Sequence, residues 1–299
     1  MKSDHLVLAA SDLSAPARHA AERAARVARD SGAALALLHV MPAAPVQQLR
    51  EWLGASSCTE QQLRDESRQQ LQALAARLQT QFPIHIQTLD SCGPVLQDIQ
   101  RQADQLDAAL VVVGARGAGY LRRLMLGGTA ERLLRRTTRP VLVVRQTAHE
   151  SYRRVLVALD FSPWSAQALA LARRVAPQAR LVLFSAYQVP FEGKLQFAGV
   201  NETAIRHYRE QMRVQTTQRV HALAAVSGLQ AQAQAWEACI VEGEAAQCIL
   251  EQEQEQDCDL VVMGKHGQSM TEDLLLGSVS RHVLSEGSTD VLVSTDRAA

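Results

Sequence analysis

Three glycines recur at the same spacing in the two halves of the chain. Gly114, Gly117 and Gly127 lie within LVVVGARGAGYLRRLMLGGT (110–129), and a glycine stands 150 positions after each of them, within LVVMGKHGQSMTEDLLLGSV (260–279). Glycine permits tight turns in which several backbone N–H groups point at one anion. A helix that begins after the last glycine adds free N–H groups and a positive dipole end. The pattern therefore predicts a phosphate-binding loop in each half.

Polar side chains accompany these loops. Asp12 and Asp160 follow the first apolar run of each half, and Ser278 and Ser280 follow the last glycine of the second copy. Ligands of open α/β sheets bind at the carboxyl ends of the strands, where the strand order reverses. If the first and fourth strands are neighbours, the aspartate and the glycine loop face one crevice. A carboxylate there accepts hydrogen bonds from a ribose or a base edge, so the parts together predict a nucleotide pocket.

Simpler interpretations exist for each residue alone. Gly264 could merely end a strand and Ser278 could merely cap a helix, but the repetition of the whole spacing favours a ligand site. The P-loop pattern G-x-x-x-x-G-K-[ST] is absent. The dinucleotide pattern G-x-G-x-x-G is not met, because Arg122 stands where the third glycine belongs after Gly117 and Gly119. The motifs therefore argue against hydride transfer and P-loop motor chemistry.

The composition limits the class of protein. Lys+Arg and Asp+Glu are balanced at 31 each, which argues against nucleic acid or an anionic membrane surface as the main partner. No apolar run approaches the roughly 20 residues of a membrane helix, and the N-terminus enters a strand without the features of a signal peptide. The five cysteines include no C-x-x-C pair. They are expected to be reduced thiols of a cytoplasmic protein, without a metal site.

Short apolar runs alternate with helical patterns through both halves. In the first half, strands are expected at 5–10, 33–40, 84–89, 109–114 and 140–145, and helices at about 14–30, 59–80, 94–105 and 128–138. In the second half, strands are expected at 154–160, 179–186, 232–239, 260–264 and 290–294. Helices are expected after a cap at Ser162 and at about 201–226, 244–256 and 278–286. Such alternation with continuous apolar strands is typical of parallel sheets covered on both faces. The fold class is therefore α/β, with two doubly wound, five-stranded parallel-sheet domains at 1–150 and 151–299.

These motifs resemble those of the universal stress protein family in its tandem two-domain form. Nucleotide-binding members of that family have G-x2-G-x9-G-[ST] after the fourth strand, and Gly264, Gly267, Gly277 and Ser278 match it completely. The resemblance covers essentially the whole chain. It implies Rossmann-like, adenine nucleotide alpha hydrolase-like domains related by a pseudo-twofold axis. It also implies ATP or AMP as the ligand, with the need for Mg²⁺ left open.

The resemblance also assigns residues to the ligand by position. In the second domain the adenosine, ribose and phosphates would be contacted by Ala158, Asp160, Ala186, Met263, Gly264, His266, Gly267, Gly277, Ser278, Val279 and Ser280. The weaker counterparts in the first domain are Asp12, Val40, Val113, Gly114, Gly117, Gly127, Gly128 and Thr129. For His266, an exposed loop position without a ligand role is the favoured alternative.

The first copy departs from the family pattern. Gly128 stands at the Ser/Thr position, although Thr129 follows it. Losing one hydrogen bond to a charged group costs about 1.5–3 kcal/mol, roughly ten- to hundredfold in affinity. The loop charges have the opposite bias, because Arg122 and Arg123 stand where the second copy has acidic Glu272 and Asp273; solvated, outward-pointing charges are the favoured interpretation. The second domain is therefore predicted to be the main nucleotide site.

Catalytic residues are not evident in either loop. No paired carboxylates, Ser-His-Asp order or metal cluster is found, so at most very slow ATP hydrolysis is expected. His39 and Ser185 occupy corresponding places on the second strands, where a core histidine is the commoner case. Cys239, Cys248 and Cys258 are expected to be buried and inert.

The predicted function is a stress-response protein that binds ATP or AMP and acts by regulation, not catalysis. The alternatives are an interaction module that has lost its nucleotide, or a binder of another small ligand in the loops at 42–58 and 188–200. The last strands, PVLVV and DVLVS, are apolar edges that invite pairing. They are predicted to pair antiparallel and form an intramolecular pseudo-dimer, with a homodimer as a further possibility.

Overall fold

The computed structural model describes residues 6–43, 57–117, 126–189, 201–229, 234–267 and 276–295. The chain divides into two compact units. The first comprises Met1–Ser151 with Ser288–Asp296, and the second comprises Tyr152–Gly287 with Arg297–Ala299. The final strand thus groups with the first unit, whereas the sequence-based domain division at 150/151 assigns it to the second. That division remains a prediction.

The first unit alternates strands and helices. Its elements are β1 (Leu6–Ser11), α1 (Ala15–Ser31), β2 (Ala34–Pro42), α2 (Ser57–Gln81), β3 (Ile86–Gly93), α3 (Val95–Gln105), β4 (Leu110–Gly114), α4 (Gly128–Arg136) and β5 (Val141–Val144). The strands are parallel in the order β3-β2-β1-β4-β5. The order reverses between β1 and β4, so the carboxyl ends of these two strands form the crevice that open α/β sheets use for ligands.

The last strand of the chain, β10 (Asp290–Ser294), completes the sheet of the first unit. It pairs antiparallel with β5, and Leu292 lies opposite Leu142. The antiparallel pairing predicted for the two last strands is therefore confirmed. Asp290 lies at the start of β10, is fully buried, and forms an ion pair at 3.0 Å with Arg23 of α1.

The second unit repeats the same succession of elements. They are β6 (Arg154–Ala158), α5 (Pro163–Val175), β7 (Arg180–Tyr187), α6 (Glu202–Val226), β8 (Trp236–Glu242), α7 (Ala245–Glu255), β9 (Leu260–Gly264) and α8 (Ser278–Glu286). Its strands are parallel in the order β8-β7-β6-β9. The fold is thus a mostly parallel α/β architecture in which β1 and β6 occupy equivalent places.

Local sequence signals explain the first helix. The Ser14 hydroxyl accepts a hydrogen bond from the backbone N–H of Ala17, Pro16 lies in the first turn, and Gly32 ends the helix with a φ of 69°. The left-handed conformation at Gly32 favours glycine because a Cβ is disfavoured there. The predicted helix start and end are therefore both correct.

Two strands lie further along the chain than expected. The sequence pattern placed them at 84–89 and 232–239, whereas β3 runs from Ile86 to Gly93 and β8 from Trp236 to Glu242. Both are partly exposed and lie at the ends of the sheet order. Edge strands tolerate polar residues, so β3 continues through Asp90 and Ser91 past its predicted end, whereas β8 is displaced towards Ile240 and Val241. Among the described helices, none has the length and apolar character needed to cross a membrane.

Candidate functional site

The first strand and the glycine loop of the first unit meet as expected. Strands β1 and β4 are parallel neighbours, with Val7 opposite Leu110. A Cβ added to Gly117 would lie only 2.6 Å from Oδ2 of Asp12. No side chain fits at that separation, so Gly117 allows the loop backbone to approach the carboxylate. The prediction that the aspartate and the glycine loop share one crevice is confirmed for this unit.

The turn after β1 holds the carboxylate in place. Oδ1 of Asp12 accepts hydrogen bonds from the Ser14 backbone N–H at 3.1 Å and from the Ser14 hydroxyl. The residue between them, Leu13, has a φ of 63°, and Phe161 has a φ of 61° at the equivalent place in the second unit. Left-handed backbone is uncommon for such bulky residues and tends to mark functional turns. The sequence analysis missed this feature, although Asp-x-Ser after each first strand was its visible sign.

A cavity of about 650 Å³ opens beside this turn in the first unit. Its wall combines an apolar part with the polar residues of the turn and the loop. It is lined by Ala10, Ser11, Asp12, Ala17, Leu38, His39, Val40, Pro42, Val95, Ile99, Val113, Gly114, Arg116, Gly117, Gly127, Gly128, Thr129, Ala130 and Arg132. The structure therefore brings together all eight residues that the sequence analysis assigned to the weaker site.

Three basic side chains that sequence reasoning did not assign to the site also line this cavity. His39 is buried, and its Nδ1 lies 2.9 Å from the carbonyl oxygen of Ser11. Arg116 is half-buried in the glycine loop. The Arg132 guanidinium bends back along α4, and its Nε donates to the carbonyl of Gly128 at 2.8 Å. Arg132 lies one helical turn after Gly128, and this spacing was the available signal.

The carboxylate of the second unit accepts from the hydroxyls of two serines. Oδ1 of Asp160 accepts from the backbone N–H of Ser162 at 2.9 Å, from the Ser162 hydroxyl at 2.6 Å, and from the Ser165 hydroxyl at 2.8 Å. Ser162 begins α5 but makes no side-chain cap hydrogen bond. Strands β6 and β9 are parallel neighbours, and a Cβ at Gly267 would lie 3.4 Å from Oδ2 of Asp160. The aspartate and the glycine loop again face each other, at a looser separation.

The second glycine loop packs against an aromatic side chain. The rings of Trp164 and His266 are 5.8 Å apart and tilted by 56°. His266 is only 7% exposed, and Lys265 is also buried. The expectation that His266 is an exposed loop residue is therefore wrong, because the Trp164 ring covers it. Pro16 stands at the place of Trp164 in the first unit, so its loop lacks this cover.

The start of α8 presents one exposed serine and one internal serine. Ser278 is the first residue of the helix and is exposed, whereas Ser280 is buried. The Ser280 hydroxyl donates to the carbonyl of Gly264 at 2.8 Å. Ser280 thus ties the helix to the end of β9, because its hydroxyl proton is directed to a carbonyl oxygen. Val279 is half-buried, as are Ala158 and Ala186 on β6 and β7, while Met263 is buried in β9.

The described cysteines of the second unit are protected thiols. Burial raises the pKa of Cys258 to about 12, and burial also raises the pKa of Cys239 and Cys248. Because the thiolate is the reactive form, these cysteines are poor nucleophiles at neutral pH. Their predicted inertness is consistent with these environments.

Other parts of the sequence analysis fall outside the described residues. They include Arg122, Arg123, Glu272, Asp273 and most of the loops at 42–58 and 188–200. Within the described part of the chain, no group of three or more His, Cys, Asp or Glu side chains is arranged to hold a metal ion.

Comparison with known proteins identifies relatives of both halves. The model of the universal stress protein family matches residues 5–145 and again residues 151–294. A universal stress protein of Mycolicibacterium smegmatis is 28% identical over 310 aligned positions, which span 99% of this chain and 98% of the relative. The family thus matches in tandem over nearly the whole sequence.

Solved structures show the same fold. The crystal structure of a universal stress protein from Archaeoglobus fulgidus is 18% identical, with a TM-score of 0.65 and coverage of 98% of each chain. The structure of a Pseudomonas aeruginosa protein is 21% identical, with a TM-score of 0.63, and the match covers 97% of this chain and 92% of that one. At these identities the likeness extends to the fold alone.

Proposed function

The chain belongs to the universal stress protein family, and we propose that it binds an adenine nucleotide, ATP or AMP, mainly in the second unit. The observation that supports this proposal is the complete spacing of Gly264, Gly267, Gly277 and Ser278 around the start of α8. Asp160 faces the same loop from the end of β6. A free helix start favours an anion, and a carboxylate favours hydroxyl donors such as those of a ribose.

Each part of the second site has a proposed task. Asp160 presents its carboxylate to the ribose beside Gly267, held in place by the three hydrogen bonds that Oδ1 accepts. The exposed Ser278 hydroxyl and the first N–H groups of α8 hold phosphate oxygens. Ala158 and Ala186 leave room for the base at the ends of β6 and β7. Ser280 fixes the helix start relative to Gly264 through its 2.8 Å hydrogen bond.

The proposed role is regulatory and cytoplasmic. Oδ1 of Asp160 is occupied by three donors, so the group is suited to holding a ligand in place rather than to moving protons. Hydrolysis, if it occurs, is very slow, and any Mg²⁺ enters with the nucleotide. Protected thiols suit a reducing compartment.

A titration of the full-length chain tests the proposal. Calorimetry should detect ATP or AMP binding to the wild type, and Gly277→Val combined with Ser278→Ala should remove the second site. Ser278→Glu is a second variant that should disturb the fold less. The exposed first turn of a helix tolerates a carboxylate, while the new charge repels phosphate. Absence of any heat or bound ligand at millimolar nucleotide would contradict the proposal.

A second candidate is an interaction module that retains the fold without nucleotide. The packing of Trp164 on His266 favours it, because side chains fill part of the space beside the second loop. This candidate predicts that Ser278→Glu changes nothing in the titration. Trp164→Ala would then open the loop without creating nucleotide binding.

A further inference from the structure

We propose that the cavity of the first unit is a second phosphate-binding site, in which the Arg132 guanidinium replaces the serine hydroxyl of the second unit. The inference rests on the proposed function for its ligand, an adenine nucleotide. The first copy, which has Gly128 at the Ser/Thr position of the family pattern, thereby gains a binding role of its own. Arg132 would determine specificity there by favouring ligands that carry more phosphate charge.

The position of Arg132 is suited to that role. Its Nε is held by the carbonyl of Gly128 at 2.8 Å. One terminal nitrogen lies 3.6 Å from where a Cβ of Gly128 would be. The guanidinium therefore lies within contact distance of the position that corresponds to the Ser278 side chain of the other copy. Arg132 is exposed and lines the cavity, and its hydrogen bond to Gly128 engages Nε, so its terminal N–H groups can reach a ligand.

The two copies differ at two positions of the helix that follows the glycine loop. The first has Gly128 with Arg132, and the second has Ser278 with His282 at the same spacing. A serine in the first turn donates one neutral hydrogen bond to a phosphate. An arginine donates two parallel charge-assisted bonds, which are about twice as strong as neutral ones. The lost hydroxyl is therefore replaced by a stronger anion ligand.

The rest of the cavity is consistent with a charged ligand. Arg116 lies in its wall beside the glycine loop, and buried His39 faces it, with Nδ1 fixed by the Ser11 carbonyl. The carboxylate in the lining is Asp12, whose Oδ1 accepts from Ser14. Arg132 on α4 and Arg116, next to Gly127, place basic groups at the α4 end of the lining, which favours an anion there.

The shape of the cavity fits the non-phosphate part of a nucleotide. Its apolar wall is formed by Leu38 and Val40 of β2, Val95 and Ile99 of α3, and Val113 of β4. A planar base buries apolar surface against such a wall. A volume of about 650 Å³ lies within the roughly 300–1,000 Å³ range of small-molecule sites.

The test uses the full chain with the second site disabled by Ser278→Glu. Equilibrium dialysis with ATP should give two nucleotides per wild-type chain and one per Ser278→Glu chain. Adding Arg132→Ala should weaken the remaining ATP binding roughly ten- to hundredfold, as expected for hydrogen bonds to a charged group. Adenosine binding should not change, because adenosine has no phosphate. That contrast separates a phosphate ligand from a residue that only supports the fold.

Two further variants serve as controls. Arg135→Ala removes a cation from the same helix that pairs with Glu131 at 2.7 Å and does not line the cavity, so ATP affinity should not change. Gly128→Ser added to Arg132→Ala should restore part of the affinity, because it places a hydroxyl where the second copy has one. The spacing of 3.6 Å leaves room for that side chain.

The outcomes distinguish the two proposals. If the wild type binds one ATP and Ser278→Glu binds none, the proposed function stands and this inference is overturned. If Arg132→Ala weakens ATP and adenosine equally, or neither, Arg132 is not a phosphate ligand. If the wild type binds no nucleotide at all, both proposals fail.

Discussion

The two glycine loops have the same spacing but different surroundings. In the first unit, Arg116 lines an open cavity beside Asp12. In the second, the equivalent His266 is buried under Trp164, and Ser165 adds a hydrogen bond to Asp160. The repeated glycines determine the path of the backbone. The side chains that differ between the copies determine the surroundings of each loop. The first loop lines an open cavity with a basic side chain, whereas the second is covered by an aromatic ring and lies beside a carboxylate that accepts hydrogen bonds from serine hydroxyls.

The largest expected effect concerns a contact that only one copy of the last strand makes. Asp290 stands where the first copy has Pro140, and its buried carboxylate pairs with Arg23 and accepts from the N–H groups of Arg145 and Gln146. Asp290→Ala should lower the free energy of unfolding by about 3–5 kcal/mol, because it leaves a buried guanidinium without its counter-charge. Urea unfolding measures this.

Asp104→Ala is the control for that variant. Asp104 is exposed and its ion pair with Arg139 is on the surface, so its loss should cost at most about 1 kcal/mol. Equal losses for Asp290→Ala and Asp104→Ala would show that the buried pair does not hold β10 in the first unit.

Alanine at the second glycine of each loop compares the two crevices directly. Gly117→Ala places a Cβ 2.6 Å from the Asp12 carboxylate, whereas Gly267→Ala places one 3.4 Å from Asp160. The first substitution should cost about 2 kcal/mol of stability, because either the loop or the Asp12 carboxylate that Ser14 holds must move. The second is an ordinary contact and should cost well below that. Thermal unfolding of the two variants checks the contrast, and a greater loss for Gly267→Ala would reverse it.

The additional hydroxyl of the second unit gives a smaller effect. Ser165→Ala removes a buried donor from Asp160 and should cost about 1.5 kcal/mol, the lower range for a hydrogen bond to a charged group. The reciprocal Ala17→Ser, at the equivalent place in the first unit, should not destabilise the protein by as much. A neutral Ser165→Ala would mean that the two remaining donors from Ser162 suffice.

The last contrast is the pH dependence of stability, which rests on one buried thiol of the second unit. The pKa of Cys258 is about 12 in the folded protein, against about 8.5 for an exposed thiol. Between these values the unfolded chain loses the proton and the folded chain keeps it, so stability falls as the pH rises from about 8.5 towards 12. Cys258→Ala should flatten this part of the curve. An unchanged slope in urea unfolding at pH 8 to 10 would contradict the protected state of this thiol.

Local patterns in the sequence were sufficient for most of the fold. The predicted strands at 260–264 and 290–294 match β9 and β10, and Ser14 and Gly32 bound α1 as expected. Glycine spacing and the aspartate also located both crevices, because these depend on backbone geometry and strand order. The edge strand β3 extends past its predicted end because its polar residues carry no periodic signal, and β8 is displaced towards the apolar pair Ile240 and Val241, which the prediction left out.

The burial and orientation of side chains around the two sites could not be predicted in the same way. Whether position 266 is exposed depends on the ring at position 164, about a hundred residues earlier in the chain. The Arg132 guanidinium reaches Gly128 through its own bend along α4. Such orientations result from tertiary packing, which no local motif encodes.

The number of nucleotides that one chain binds tests most directly whether both units hold a ligand. Equilibrium dialysis with ATP should count two per wild-type chain, one for Ser278→Glu, and one for Gly128→Glu, in which the new carboxylate neutralises Arg132. If each variant removes one site and leaves the other intact, the result supports phosphate binding by the Ser278 hydroxyl in the second unit and by the Arg132 guanidinium in the first. A wild-type chain that binds no ATP at millimolar concentration would contradict the account.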